Sequence, residues 1–182
     1  ARAPRNGPNT YVGVTDTEQI VLLQEDEEGD TWEPDWPIFL ITHTDATAYS
    51  AWRSTQHEGT YRLLTADEWL YAARGDDSRP YPWGYAFDSS LCHMRDSRPG
   101  KSIPTGVGTY AKDVSPYGLK DVAGNIAEWT DTVLSEDVHA VTGAAFNSLP
   151  IMCALDHTMS APANSNLVHI GFRVLIELSD KK

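Results

Sequence analysis

Residues 61–75 read YRLLTADEWLYAARG, a short apolar run followed by the signals that start and stop a helix. Thr65 and Glu68 stand in the S/T-x-x-E pattern of a capping box, in which the two residues satisfy each other's free backbone groups. Gly75 is a typical residue for ending a helix. Between these signals, three side chains share one helix face: Trp69, Ala72 and Ala73. The pattern predicts a short capped helix with one buried face.

The residues before this helix predict a second helix and two strands. Residues 20–23 form a short apolar run, and residues 38–42 are rich in strand-forming side chains, so both are expected to be strands, the second of them buried. Thr44 or Asp45 is the expected cap of the other helix, and its apolar residues share one face: Ala48, Tyr49 and Trp52. Residues 25–30, EDEEGD, are expected to form a solvated acidic turn.

The residues after Gly75 are rich in Pro, Gly, Asp and Ser, and regular structure is expected to stay sparse until about Trp129. Residues 169–178, HIGFRVLIEL, predict a closing strand. Two short helices, several strands and long ordered loops indicate an α+β fold. The order of elements lacks the βαβ alternation of a parallel sheet.

The composition limits the classes of protein to which the chain can belong. The 182 residues are 41% hydrophobic and 10% aromatic, which is enough for one domain with a buried core. A net charge of -12 argues against nucleic acid and against an anionic membrane surface. Membrane insertion is not expected, because the sequence has no window of about 18 apolar residues. The two cysteines, Cys92 and Cys153, are too few for a disulfide scaffold, which fits a cytoplasmic protein.

Three ordered segments carry a resemblance to a known family. The first is 61–75 followed by YPWG at 81–84, the second is VGTYAKDVSPYGLKDVAGNIAEWTDT at 107–132, and the third is GFRV at 171–174. Together they resemble the formylglycine-generating-enzyme family, also called the sulfatase-modifying-factor domain. The resemblance implies that family's variant of the C-type lectin fold, with two helices, a small twisted antiparallel sheet and long irregular loops.

Two further segments narrow the resemblance. WEPDWP at 32–37 and CHMRDSRP at 92–99 look like the version of this domain that is fused to bacterial serine/threonine kinases. HIGFR at 169–173 also resembles the closing motif of the hypervariable proteins of diversity-generating retroelements. The chain is therefore expected to be part of a larger bacterial protein, with hypervariability of its C-terminal segment as an alternative hypothesis.

The predicted organisation is an irregular segment with the acidic turn over 1–36, followed by the family-like domain over 37–182. The family's usual N-terminal part is not recognised. The strand that this part contributes in the family is expected to come from the rest of the polypeptide or from a second chain. Where that strand is missing, a sheet edge is expected to be exposed.

Catalysis is not expected from the residues present. The family's oxidase binds copper(I) through two cysteines five positions apart, whereas the matching segment, 142–166, holds Cys153 with no partner nearby, and Cys92 lies in another motif. The six histidines show no helical metal-site spacing, so each is expected to be a surface or loop residue. A divergent metal-dependent oxidase stays the alternative.

One metal site follows from the resemblance. The family holds calcium in the loop that matches 121–128, and the matching ligands are the carboxylates of Asp121 and Glu128 with the carbonyls of Gly124 and Ile126. Oxygen donors of this kind suit calcium. The alternative is a loop held by hydrogen bonds alone.

The predicted binding face is the segment 144–169, which diverges most from the family pattern and is unusually apolar for a loop. Loops on a rigid scaffold concentrate binding residues, so a protein or peptide ligand is expected here. The candidate ligand-binding residues are Phe146, Asn147, Leu149, Met152, Leu155, His157, Met159, Asn164 and Asn166. The alternative is that about half of the apolar ones fill the core. Four motif residues are assigned to the scaffold: Trp69, Trp83, Trp129 and Arg173.

Overall fold

The fold is taken from a computed structural model that describes residues 12–14, 20–22, 33–98 and 103–178. Two helices lie on either side of a short strand, and the other strands come before and after them. The helices are α1 (His43–Gln56) and α2 (Ala66–Arg74). The strands are β1 (Val12–Val14), β2 (Ile20–Leu22), β3 (Thr60–Leu63), β4 (Ala127–Ser135), β5 (Val138–Thr142), β6 (Thr158–Pro162), β7 (Ile170–Gly171) and β8 (Val174–Glu177).

The strands form three sheets. The largest has the order β6-β5-β4-β7, antiparallel except for the parallel pair β4–β7. Strand β3, between the helices, pairs antiparallel with the closing strand β8, and β1 pairs with β2. The predicted α+β class is confirmed, and the strand predicted at 20–23 is β2. The acidic turn at 25–30 lies outside the described residues.

The core lies between α1, α2 and the four-stranded sheet. Its largest members are two indoles, Trp69 on α2 and Trp129 on β4, each 1% exposed. The Trp129 Nε1 donates to the Ile41 carbonyl at 3.0 Å, which fixes the ring where it packs against the entry to α1. Both residues serve the scaffold, as predicted.

The helix predicted from the capping box is confirmed. Thr65 is the N-cap: its hydroxyl accepts from the Glu68 amide at 3.2 Å, and the Glu68 carboxylate accepts from the Thr65 amide at 2.8 Å. Gly75 ends α2 at φ 80°, a conformation that favours glycine. Trp69 and Ala73 are buried, and Ala72 is half-buried. The same Glu68 also takes a bidentate ion pair from Arg62, with both N–O distances 2.7 Å.

The cap of α1 differs from the prediction. The N-cap is Thr42, and Asp45 completes a capping box as its third helical residue, so the helix begins two to three residues early. The face against the protein carries small or polar residues, His43, Ala46 and Ser50, which let the helix approach the sheet closely. The helix face that the sequence predicts to be buried is exposed instead. On this face, the ring of Tyr49 packs edge-on against the ring of Phe172.

Two predicted strands are corrected. Residues 38–42 are not a strand, because Leu40 adopts φ 56° and breaks the extended backbone, although Phe39 and Leu40 are buried. The closing run divides into β7 and β8, which belong to different sheets and are separated by Phe172 and Arg173. Among the described residues, none of the helices is both long and apolar enough to cross a membrane.

Candidate functional site

The three recognised sequence segments meet at one buried ion pair. Glu128 on β4 is 3% exposed, and its carboxylate accepts from Arg173 Nε at 2.6 Å and from Arg173 Nη2 at 2.5 Å. Trp69 Nε1 on α2 adds a third donor at 2.8 Å. Arg173 Nη2 also reaches the Lys120 carbonyl at 3.0 Å. A motif residue from each segment therefore contributes to one centre, which explains why the segments occur together.

The carboxylates predicted to bind calcium already have other partners in this arrangement. Both carboxylate oxygens of Glu128 are already held by cationic and indole donors. The Asp121 carboxylate accepts from the Gly108 amide at 2.8 Å. Calcium bound by Glu128 would have to replace Arg173, so the alternative of a loop held by hydrogen bonds accounts for the contacts of both carboxylates. The calcium set, with the Gly124 and Ile126 carbonyls, stays a prediction that this geometry does not favour.

Asp113 is an important buried residue that sequence reasoning missed. Its side chain is 1% exposed, and Oδ1 accepts from the Val122 and Ala123 amides at 3.0 and 2.9 Å. Burial, together with the nearby Asp121 charge, raises the pKa of Asp113 to about 7. The two hydrogen bonds from the backbone amides favour the carboxylate and oppose this rise. No sequence signal separates Asp113 from the many exposed acidic residues.

Asp113→Asn is expected to remove a pH dependence of stability. The folded-state pKa, about 7, lies above the ordinary 3.8, so the folded protein binds the extra proton between these values. The contribution of Asp113 is therefore fully present below pH 4 and is lost as pH rises towards 7, at up to about 1.4 kcal/mol per pH unit. The free energy of unfolding of the wild type minus that of the variant should fall across this range in chemical denaturation.

The control for this prediction is Asp77→Asn. Asp77 is exposed, and its ion pair with Arg79 lowers the pKa to about 2, so its difference profile should be flat between pH 4.5 and 7.5. A flat profile for Asp113→Asn would contradict the prediction.

The loop before β4 is closed by Gly124 and Asn125. A Cβ at Gly124 would lie 2.5 Å from the His93 carbonyl oxygen, so only glycine fits against that backbone. Asn125 adopts φ 70° and is 1% exposed. Its side chain accepts from the Thr105 amide and donates to the Thr105 carbonyl, both at 3.0 Å. These contacts hold three loops together beneath the ion pair.

The cysteine interpretation requires a correction. Cys153 does have a cysteine neighbour, since the fold packs Cys92 and Cys153 into one buried cluster across 61 positions of sequence. Both thiols are free and buried, at 0% and 1% exposed. The contact with Cys153 and burial raise the pKa of Cys92, which opposes the thiolate form that nucleophiles and copper ligands need. Local spacing alone could not reveal this pair.

The first loop of the predicted binding segment, 144–169, is anchored at its two ends by Phe146 and Leu155. Phe146 and Leu155 are buried at 6% and 2%, so they fill the core and offer no surface to a ligand. The Phe146 amide donates to the Asn125 carbonyl at 2.9 Å, and the Leu155 amide to the Pro80 carbonyl at 2.8 Å. For these two residues, the alternative of core packing is the one observed.

Between these anchors a 3-10 helix, Pro150–Cys153, projects apolar side chains outward. Ile151 is 79% exposed and Leu149 is 45% exposed. Sequence reasoning included Leu149 but missed Ile151 as a site residue. Asn164 and Asn166 are exposed, and four other candidates are half-buried: Asn147, Met152, His157 and Met159. Met159 also packs against the main core. The exposed apolar surface of this first loop is therefore the tip formed by 149–152.

The tip sits beside an aromatic loop. The residue that follows the tip, Cys153, packs in a buried cluster with Cys92, and Tyr81 and Trp83 lie against that cluster. Tyr81 stacks on Trp83 with centroids 5.4 Å apart, and Trp83 Nε1 donates to the Ala86 carbonyl at 2.9 Å. The predicted scaffold role of Trp83 matches these contacts.

Comparison with known proteins places these features in a family context. Residues 13–178 match the family of the sulfatase-modifying factor enzyme 1-like domain. The bovine (Bos taurus) inactive C-alpha-formylglycine-generating enzyme 2 is 31% identical over 62% of this chain and 39% of its own length. A formylglycine-generating enzyme of Thermomonospora curvata is 33% identical over 63% of this chain and 39% of its own length. The chain thus spans about two fifths of these relatives, which include proteins named as enzymes and one named as inactive.

Solved structures share the fold. PvdO from Pseudomonas aeruginosa superimposes with a TM-score of 0.73 at 22% identity, covering 82% of this chain and 65% of that one. Treponema denticola variable protein 1 has a TM-score of 0.54 at 24% identity, covering 64% of this chain and 47% of that one. The formylglycine-generating-enzyme type of C-type-lectin-like fold is thereby confirmed. At these identities the likeness concerns the fold alone, and hypervariability of 144–169 stays a prediction.

Proposed function

The chain belongs to the family of the sulfatase-modifying factor enzyme 1-like domain, and within that family we propose that it is a non-catalytic module that binds a protein or peptide. The single observation that carries the proposal is the apolar tip at 149–152. Leu149, Pro150 and Ile151 expose adjacent apolar surface there, Ile151 to 79%, and a contiguous exposed apolar patch on a loop of a rigid scaffold is a typical binding surface.

The construction of the tip supports a preformed binding surface. Phe146, Cys153 and Leu155 fix the loop from below, and backbone hydrogen bonds join it to two neighbouring loops: the Arg95 amide donates to the Ser148 carbonyl at 3.1 Å, and Leu155 is held by Pro80. A surface that is already ordered loses little conformational entropy on binding. The net charge of -12 favours a neutral or basic partner.

Burial of the thiols supports the non-catalytic part of the proposal. The side chains of Cys92 and Cys153 are shielded from water, and the raised pKa of Cys92 keeps its thiol protonated. Similarity to an inactive relative points the same way. The alternative, a divergent oxidase, is favoured by the proximity of the two thiols and by similarity to a relative named as a formylglycine-generating enzyme. Anaerobic titration with copper(I) separates the two functions, because stoichiometric uptake that is lost in Cys153→Ser would support the oxidase.

Ile151→Asp is expected to abolish binding of peptides selected on the wild-type protein. A random displayed peptide library is selected against the chain, and the dissociation constants of the recovered synthetic peptides are measured with each variant. A charge at the centre of an apolar contact should weaken binding at least about tenfold, because the aspartate would be desolvated without a partner.

The matched control is Leu134→Asp, which makes the same kind of change at a 53% exposed position at the end of β4. Peptide binding should be unchanged there. Unchanged binding by Ile151→Asp, or selection that recovers no peptide, would contradict the proposed binding surface.

A further inference from the structure

Two histidines and an aspartate meet on the sheet face beneath α1, away from the tip. His43 is the first residue of α1, Asp131 lies on β4 and His139 on β5. The His43 Nε2 is 3.7 Å from the Asp131 carboxylate oxygen, and the two imidazole rings stack with centroids 3.6 Å apart. One potential ligand atom from each residue lies within 4.8 Å of the other two.

The backbone explains why these residues share one face. Trp129 and Asp131 are two positions apart on β4, and His139 and Val141 are two positions apart on β5, so both pairs follow the alternation of a strand. Trp129 pairs with Val141, and the register shifts before the next pairing, at His139, which marks a bulge around Asp131. The ring of His43 then packs edge-on against Trp129 at 5.8 Å.

One ring nitrogen of each histidine lacks a partner among the described residues. His43 Nε2 and His139 Nδ1 are buried and have no hydrogen-bond partner in the part of the chain that the structure describes. The His43 side chain is 9% exposed, whereas that of Asp131 is 56% exposed. The His43 Nε2 thus lies 3.7 Å from a carboxylate oxygen and has no hydrogen-bond partner within the described ranges, so a metal ion between the two atoms would satisfy both.

We propose that His43, Asp131 and His139 bind a divalent transition-metal ion of the zinc class. Two imidazoles and one carboxylate are a donor set that suits Zn²⁺, Co²⁺ and similar ions, and they leave a coordination position for water. The exposed side chain of Asp131 leaves a path for the ion from solvent.

Binding has a structural consequence that can be observed. One ion cannot lie in the planes of two stacked rings, so the ring of His139 turns out of the stack when the metal enters. His139 is half-buried near the start of β5, whereas the buried ring of His43 is held edge-on against Trp129. The ring signals of His139 should therefore shift more than those of His43 in nuclear magnetic resonance spectra. The site is independent of the proposed peptide-binding tip.

The test is titration of the chelator-stripped, untagged chain with Zn²⁺ in a calorimeter, and with Co²⁺ followed by its visible absorption. The wild type should bind one ion with micromolar or tighter affinity. Asp131→Asn and His139→Ala should each weaken binding at least about tenfold. If His139→Ala does not fold, Asp131→Asn carries the test, because this exposed change is compatible with the fold.

Three controls separate this site from other binding. Asp67→Asn makes the same charge change at an exposed position on α2, and His57→Ala removes an exposed histidine, so both should bind as the wild type does. Cys153→Ser should also leave binding unchanged. The proposal is overturned if the wild type takes up no stoichiometric zinc, if Asp131→Asn and His139→Ala bind normally, or if only the cysteine variant loses the metal.

Discussion

Arg173→Met is expected to lower the free energy of unfolding by about 3–5 kcal/mol. The substitution removes both guanidinium hydrogen bonds from Glu128 and leaves a carboxylate that is 3% exposed with only the Trp69 indole as donor. An unpaired buried charge is among the largest single penalties in a folded protein, and the methionine keeps most of the packing volume. Chemical denaturation of the wild type and the variant measures the difference.

A second variant isolates the role of charge. In the double variant Arg173→Met with Glu128→Gln, the buried group is neutral, so part of the lost stability should return. Arg79→Met breaks the surface pair with Asp77 and should lower the free energy of unfolding far less than Arg173→Met does. If Arg173→Met proves as mild as Arg79→Met, the ion pair is not the structural centre of the three segments.

Asn125→Ala should cost about 3 kcal/mol. The side chain makes two hydrogen bonds to the Thr105 backbone in a buried position, each worth about 1 kcal/mol, and their loss leaves the Thr105 groups unpaired. Alanine also tolerates φ 70° less well than asparagine, which adds about 1 kcal/mol. Thermal and chemical denaturation should agree on this loss.

Asn125→Gly is the matched comparison. Glycine loses the same two hydrogen bonds but accepts the left-handed backbone, so it should be more stable than the alanine variant by about 1 kcal/mol. Equal stabilities of the two variants would show that the backbone conformation contributes nothing. Wild-type stability of both would contradict the role given to the Thr105 contacts.

Local signals predicted local structure well. The start and end of α2 follow from Thr65, Glu68 and Gly75, because capping is decided by residues close in sequence. The face of α1 could not be predicted in this way. Its Tyr49 and Trp52 have the apolar pattern of a buried stripe, but contact with the sheet selected His43, Ala46 and Ser50. Tertiary packing therefore overrode the pattern, since small side chains allow the closer approach.

The parts of the candidate sites that sequence reasoning missed depend on distant contacts. Cys92 meets Cys153, and His43 meets His139, across intervals with no characteristic spacing. The apolar residues of the predicted binding segment were recognised, but their division into buried Phe146 and exposed Ile151 depends on which backbone hydrogen bonds the loop makes. Composition indicates that a segment is apolar and does not indicate which of its residues face water.

The pairing of β3 with β8 also governs the order of events during synthesis. Tyr61 pairs with Ile176, so the open edge of β3 has no partner until the ribosome has released nearly all of the described chain. Contacts over such intervals close slowly, and unpaired strand edges invite association between molecules. Arg173, which completes the ion pair, arrives in the same late stretch. The β3–β8 sheet and the ion pair therefore form only after this late stretch has been made, and a chaperone that covers the open strand edge until then would guard against association.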